Sequence, residues 1–301
     1  MIYKNFEEMI SKVQGLEKTR KVAVVSAHDE HTLEAVFKAR NDKIADPILI
    51  GHGEKIFEII EKLGQILDPQ NIVDITEDAE AAAFAVKMVR EGKADFIMKG
   101  KLQTADLLRA VVNKEKGLRT GRVMSVLMLH EVPNYHKLLA ITDGGMTMYP
   151  NLEEKKQIIE NAVDAYRAMG YENPKLAVLA AVENVNPKMP ESVDAGKLKE
   201  MNQSGEITGC IIEGPISYDL TMSKESAEIK GYESPVTGDA DILIAPNITA
   251  GNLLSKALAY SAGAKLAGYI VGAKVPIVLT SRGASSEEKY LSLVLSASAV
   301  K

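Results

Sequence analysis

Short apolar runs of strand length alternate with segments whose apolar residues recur every three or four positions, almost throughout the chain. The runs predict strands over 21–26, 47–50, 72–75, 95–98, 123–129, 138–142, 175–181, 208–212, 241–245, 266–271 and 276–280. Between them the period predicts helices over 29–39, 55–63, 78–90, 104–112, 152–169, 219–229, 251–261 and 287–297. Strands alternating with helices call for mostly parallel sheets covered on both faces, hence an α/β fold of two α/β/α sandwich domains. The Gly-Gly and Pro of ITDGGMTMYPN break the pattern near residue 140, and a second break falls at Gly272–Pro276. The expected division is residues 1–140 plus 273–301 as one domain and 141–272 as the other. An internal echo pairs ADFIMKGKLQTADLL (94–108) with ADILIAPNITAGNLL (240–254); each runs Ala-Asp, strand, polar turn, helix.

At 301 residues, two domains are the natural partition, since a domain takes ~100–200 residues. The single Cys offers no internal disulfide, and no Cys/His cluster offers a zinc site. The polar start MIYKNFEEMISKVQG is unlike a secretory signal, and no apolar run of ~18 residues is present, so a soluble, cytoplasmic protein is expected. A net charge of −5, with five Phe and no Trp, speaks against nucleic-acid binding. The charge is uneven, however. Residues 99–122 carry seven bases (Lys99, Lys101, Arg109, Lys114, Lys116, Arg119, Arg122) against Asp106 and Glu115. A cationic island on an acidic protein is read either as a solvated helix face or as a site for a small polyanion.

Common signatures fail. Gly51-His52-Gly53 follows a strand but lacks the third glycine of a dinucleotide fingerprint and reads as a tight turn. His28 and His31 read as polar residues at a helix start capped by Asp29 rather than as metal ligands. Cys210, in GCIIEG, reads as a core residue of an entering strand rather than a nucleophile. What remains is a series of polar turns after strands: Lys99-Gly100-Lys101, Asp143-Gly144-Gly145, Glu213-Gly214-Pro215, Pro246-Asn247 and Ser281-Arg282-Gly283. Parallel sheets bind ligands at the carboxyl ends of their strands, where helix N-termini also point, so these turns and the basic island together predict an anion-binding cleft.

The stretch MKGKLQTADLLRAVVNKEKGLRTGRVMS (98–125) resembles the phosphate butyryltransferases. Supporting matches are ITD (141–143), VNPKMP (185–190), GCIIEGPISYDL (209–220), ADILIAPNITAGNLLSKAL (240–258) and PIVLTSR (276–282). The resemblance covers nearly the whole chain. It implies two α/β/α domains flanking a cleft, like those of the isocitrate and isopropylmalate dehydrogenases, in a homo-oligomer. It further implies the reaction acyl-CoA + phosphate ⇌ acyl phosphate + CoA, with coenzyme A as a substrate, no cofactor or metal, and metabolic coupling to an acyl (butyrate) kinase. Carried over by motif, Arg282 holds the phosphoryl group and Ser281 hydrogen-bonds charge developing on the carbonyl. Arg109 is directed at phosphate; Lys99, Arg119, Asn247, Asp143 and Asp219 are further substrate-binding candidates, and Arg122 reads as a surface residue. Acetyl-specific relatives carry an Asp, taken as base for the CoA thiol, seven residues after this Ser. Here the position is Glu288, read either as that base or as part of an acidic first helical turn.

Three other readings stay open. One is an acetyl preference, since an apolar pocket distinguishes acyl lengths by only ~1–3 kcal/mol per methylene. Another is a regulator that binds CoA or acyl phosphate without turnover. The third is a metal-dependent decarboxylating dehydrogenase, whose metal-binding Asp falls at Asn252, where an amide is a poor cation ligand.

Overall fold

In the computed structural model, residues 2–281 and 283–300 are described. Eleven strands appear among them: β1 (Arg20–Val25), β2 (Ala45–Gly51), β3 (Ile72–Asp74), β4 (Phe96–Lys99), β5 (Ser125–Glu131), β6 (Leu139–Thr142), β7 (Lys175–Leu179), β8 (Ile211–Ile216), β9 (Ile242–Ile244), β10 (Lys265–Val271) and β11 (Ile277–Val278). The α-helices are α1 (Phe6–Gln14), α2 (Glu30–Asn41), α3 (Gly53–Lys62), α4 (Asp78–Arg90), α5 (Thr104–Val111), α6 (Leu152–Ala168), α7 (Pro190–Gln203), α8 (Tyr218–Met222), α9 (Lys224–Lys230), α10 (Ile248–Ser261) and α11 (Ser286–Ala299).

The chain divides into two compact units. One comprises Phe6–Arg122 and Ala267–Lys301, the other Met1–Asn5 and Val123–Leu266. The expected cuts at 140 and 272 are displaced to 122/123 and 266/267 for a plain reason. A cut at 140 would split β6, which is paired antiparallel with β5 through Leu129 and Ala140, while β10 pairs with β11 through Ile270 and Ile277.

The first unit orders its strands β3-β2-β1-β4-β11-β10. All neighbours are parallel except β10 and β11, so β1, β2, β3, β4 and β11 end on one carboxyl edge. Its central strands are near-continuous apolar runs (Val22, Ala23, Val24 and Val25; Phe96, Ile97 and Met98), the composition of strands buried on both faces. The second unit orders β5-β6-β9-β7-β8, parallel apart from β5 and β6. Its core gathers Leu139, Ile141, Ala177, Ile216 and Leu243 with Leu220 and Leu258 from its helices.

Three local readings differ from the structure. The expected strand over 208–212 is displaced to β8, so Glu213-Gly214-Pro215 is not a turn after a strand but its buried middle, where Lys199 donates to Glu213 at 2.6 Å. The expected helix over 219–229 is cut at Ser223, whose hydroxyl accepts from Ser226 N–H (3.1 Å) and starts α9. Helices α1 and α7 were not foreseen; α1 buries Phe6, Met9 and Val13 at helical spacing, and α7 opens with Pro190 in its first turn.

Candidate active site

The candidate residues fall into two sets, one per unit. In the first, β4 and β11 run parallel with Val278 opposite Met98, so Lys101 and Ser281 each lie three residues beyond the same rung. Gly100 is obligatory there: a Cβ would run into the carbonyls of Val25 and Ser26. That approach zips the turn to the end of β1, with Gly100 N–H donating to Val25 O and Lys101 N–H to Ser26 O, both at 2.8 Å. Lys99 is half-buried and donates to Gly100 O at 3.2 Å, while Ser281 is exposed and accepts from Ala284 N–H at 3.1 Å. Arg282 lies outside the described residues.

Glu288 occupies the first turn of α11, where its N–H donates to the Ser285 hydroxyl at 3.1 Å. Burial raises its carboxyl above the ordinary glutamate range, against a smaller pull from Lys289. A carboxylate raised this way is a better proton acceptor than a solvated one. The neighbouring Lys289 turns away from it, donating to Asp29 and Thr32 at the start of α2, both at 3.2 Å.

The basic island does not form one face. Arg109 pairs with Asp106 at 2.9 Å and is largely exposed. Arg119 forms an isolated antiparallel bridge with Ala273. Lys116 lies beyond the far end of α5, in a turn organised by Asn113, whose Oδ1 accepts from Glu115 and Lys116 N–H. A groove of ≈ 1060 Å³ between α4 and α5, lined by Ile75, Phe84, Arg90, Asn113 and Lys116, holds none of the motif residues at the strand ends.

In the second unit, Asp143 follows β6 and Asn247 follows the parallel β9, with Thr142 opposite Ile244. Asp143 is 3% exposed. Its Oδ1 accepts from Val126, Gly145 and Met146 N–H at 2.9–3.2 Å and its Oδ2 from Thr147 N–H at 2.6 Å. Asn247 caps α10 by accepting from Ala250 N–H at 3.0 Å. A Cβ on Gly251 would strike the Asp143 carbonyl, and Asn252 donates its amide to Gly144 O at 3.0 Å. The amide that replaces the dehydrogenase carboxylate is thus a strut between turn and helix. No group of three or more His, Cys, Asp or Glu among the described residues is placed to hold a metal. Asp219 stands apart after β8; hydrogen bonds from Ser217 and from Lys230 (3.0 Å) lower its carboxyl to about 2. Cys210 is buried, which pushes its thiol up to about 11 and leaves it a poor nucleophile.

Pairing the histidines by sequence spacing missed a cluster. His31 is exposed beside Glu34 (3.4 Å), whereas His28 and His52 follow the neighbouring strands β1 and β2, with His52 close enough to bear on the charge of His28. The available signal was position: each follows a predicted parallel strand directly.

Residues 75–297 match the family described as phosphate acetyl/butaryl transferase. Over 291 residues the chain is 45% identical to the phosphate acetyltransferase of Thermotoga maritima, covering 97% of this chain and 98% of that one. It is equally 45% identical, over 294 residues, to the phosphate butyryltransferase of Clostridium acetobutylicum, covering 98% and 97%. A crystal structure of a branched-chain phosphotransacylase from Enterococcus faecalis superposes with a TM-score of 0.82 at 34% identity, covering 93% of this chain and 99% of the other. A mostly parallel α/β scaffold with polar turns at its strand ends thus has a definite class: the chain belongs to the phosphate acetyl/butaryl transferase family.

Proposed function

We propose that the protein transfers a short-chain acyl group between coenzyme A and inorganic phosphate, with butyryl favoured over acetyl. The observation that carries the chemistry is Ser281 beyond the end of β11, one strand from Lys99 at the end of β4, followed seven residues on by a carboxyl raised by burial. In the direction of acyl-CoA synthesis, Glu288 takes the thiol proton and the thiolate attacks the carbonyl carbon of acyl phosphate. Ser281 hydrogen-bonds the oxyanion as it forms. The C–O bond to phosphate then breaks and phosphate leaves against Arg282. Arg109, Arg119 and Lys99 supply positive charge for the two polyanionic substrates; Asp143, Asn247 and Asp219 shape the second unit's strand ends.

Coenzyme A is a substrate in this reading, and no further cofactor is required. The finer architecture, two α/β/α sandwiches, belongs to the same proposal, supported by strands buried on both faces. So do a cytoplasmic location, a homo-oligomeric state and coupling to an acyl kinase; among the described residues no helix is long and apolar enough to cross a membrane.

The test is thiol release from butyryl-CoA and acetyl-CoA, with and without inorganic phosphate. Phosphate-dependent release, faster with butyryl, is the expected result. Faster release with acetyl would overturn the chain-length assignment. No release with CoA still bound would overturn the enzyme.

A further inference from the structure

The carboxyl edge of the first unit holds a second cluster that the proposed chemistry does not use. His28 follows β1, His52 follows β2 and precedes α3, Lys55 lies in the first turn of α3, and Lys101 follows β4. The Nδ1 atoms of both histidines are buried and have no hydrogen-bond partner. Burial is the largest influence on His28 and lowers its pKa; Lys55, Lys101 and His52 act in the same direction, and Asp78 acts against them. The Lys55 and Lys101 side chains are exposed and have no carboxylate partner among the described residues, whereas Lys38, Lys62, Lys93 and Lys230 on the same surface type each have one. The acids at this edge are engaged: Asp78 accepts from the Ser26 hydroxyl at 2.6 Å, and Asp74 from Gly53 N–H at 2.9 Å. His52, the N-cap of α3, makes no side-chain capping bond.

Cations left unpaired, imidazoles with idle nitrogens and acids already satisfied are the donor set of an anion site. We propose that His28, His52, Lys55 and Lys101 bind phosphate-group oxygens along the sheet edge from the end of β2 to the end of β4, with His52 and Lys55 farthest from Ser281. Resting on the transacylase reading, this assigns the cluster to a part of the substrate distant from the reacting carbonyl. The strand order β2-β1-β4-β11 puts three spacings of ~4.8 Å, about 14 Å, between the His52 and Ser281 ends. A long thioester with phosphates at its far end spans such a distance; inorganic phosphate is the other source of the same chemistry.

The experiment compares wild type with a Lys55→Ala/Lys101→Ala double variant and with His52→Gln, folding being checked by circular dichroism. Calorimetric titration uses adenosine 3′,5′-bisphosphate and, separately, inorganic phosphate, so binding is read whether or not the protein turns over a thioester. In parallel, KM is measured for butyryl-CoA and for butyryl-pantetheine, which lacks the phosphates. Loss of two charge-assisted contacts is expected to weaken the bisphosphate about tenfold or more. KM for butyryl-CoA should rise in step while KM for butyryl-pantetheine does not. Weakening of inorganic phosphate instead supports the site and assigns it to the other source. Unchanged binding of both anions overturns the proposal, and so does an equal rise in KM for both thioesters.

Discussion

The segments 94–108 and 240–254 share a sequence pattern and a local fold, β4-turn-α5 and β9-turn-α10, yet they spend their polar groups in opposite ways. Around β9 the turn is closed on itself: Asn247 caps α10, Asn252 bonds Gly144 and Asp143 absorbs four backbone N–H groups. After β4 the backbone is tied to β1, but Gln103 makes no capping bond to α5 and the Lys101 side chain points no charge at a carboxylate. The lesson is that a polar turn at a strand end becomes a candidate for ligand binding only after its internal obligations are counted. By that measure the turn after β4 keeps polar groups to spare for a ligand, whereas those of the turn after β9 are taken up internally.

The largest expected effect lies at Glu288. Glu288→Gln is expected to lower kcat by roughly 10²–10⁴-fold. Because the folded carboxyl titrates above its unfolded value, the ionised form costs stability as pH rises through the folded pKa. The neutral amide should therefore leave thermal stability at pH 7 equal or higher. An unchanged pH–rate profile would remove Glu288 as the base. Next, Ser281→Ala should cost about 10²–10³-fold in kcat with little change in Tm, as for loss of one oxyanion donor; Arg282→Ala retaining most turnover would refute its assignment.

In the second unit the expected losses are of stability instead. His130 is fully buried, bonds Ser255 of α10 at 2.8 Å and has its pKa lowered to about 4 by burial. It stays neutral when folded but charges near pH 6.5 when unfolded. The fold should therefore lose roughly 3 kcal/mol between pH 6.5 and 4, read by denaturant titration across that window. Replacing His130 by Gln should flatten that slope. Asp143→Ala should cost about 1.5–3 kcal/mol by stranding backbone donors, with activity and Tm falling together. Asn247→Ala, the smallest change, should cost about 1 kcal/mol as a lost cap. A large KM effect without a stability loss at Asp143 or Asn247 would place those side chains on substrate and undo the contrast.

Much of this was legible in the chain. Every strand among the described residues lies within a few residues of one the sequence predicts, because fully buried parallel strands are short apolar runs bounded by Gly, Pro or polar residues. Motif and position pointed to Ser281, Lys99 and Glu288 as candidates, and the fold sets Lys99 and Ser281 at the ends of paired parallel strands. What the sequence hid was pairing. The displaced boundary follows from β5 joining β6, a choice made by partner strands rather than by the break at Gly144-Gly145. Glu213 read as a turn because its partner, Lys199, is supplied by α7, whose weakly periodic residues gave no helix signal. His28 paired on paper with His31, three residues away, while the fold set it beside His52 on the next strand.

The placement of β11 has a consequence for the chain as it is made. Residues 6–122 leave the ribosome long before residues 267–301, yet β11 lies between β4 and β10, and α11 contributes Tyr290, Leu291, Leu293, Val294 and Leu295 to the interior. For roughly ten seconds or more of translation, the first-made segment must wait with an open strand edge and an uncovered apolar face while the inserted unit is completed. The order of manufacture is thus the reverse of the order of completion, and the nascent chain is most vulnerable to aggregation just before its last helix is added.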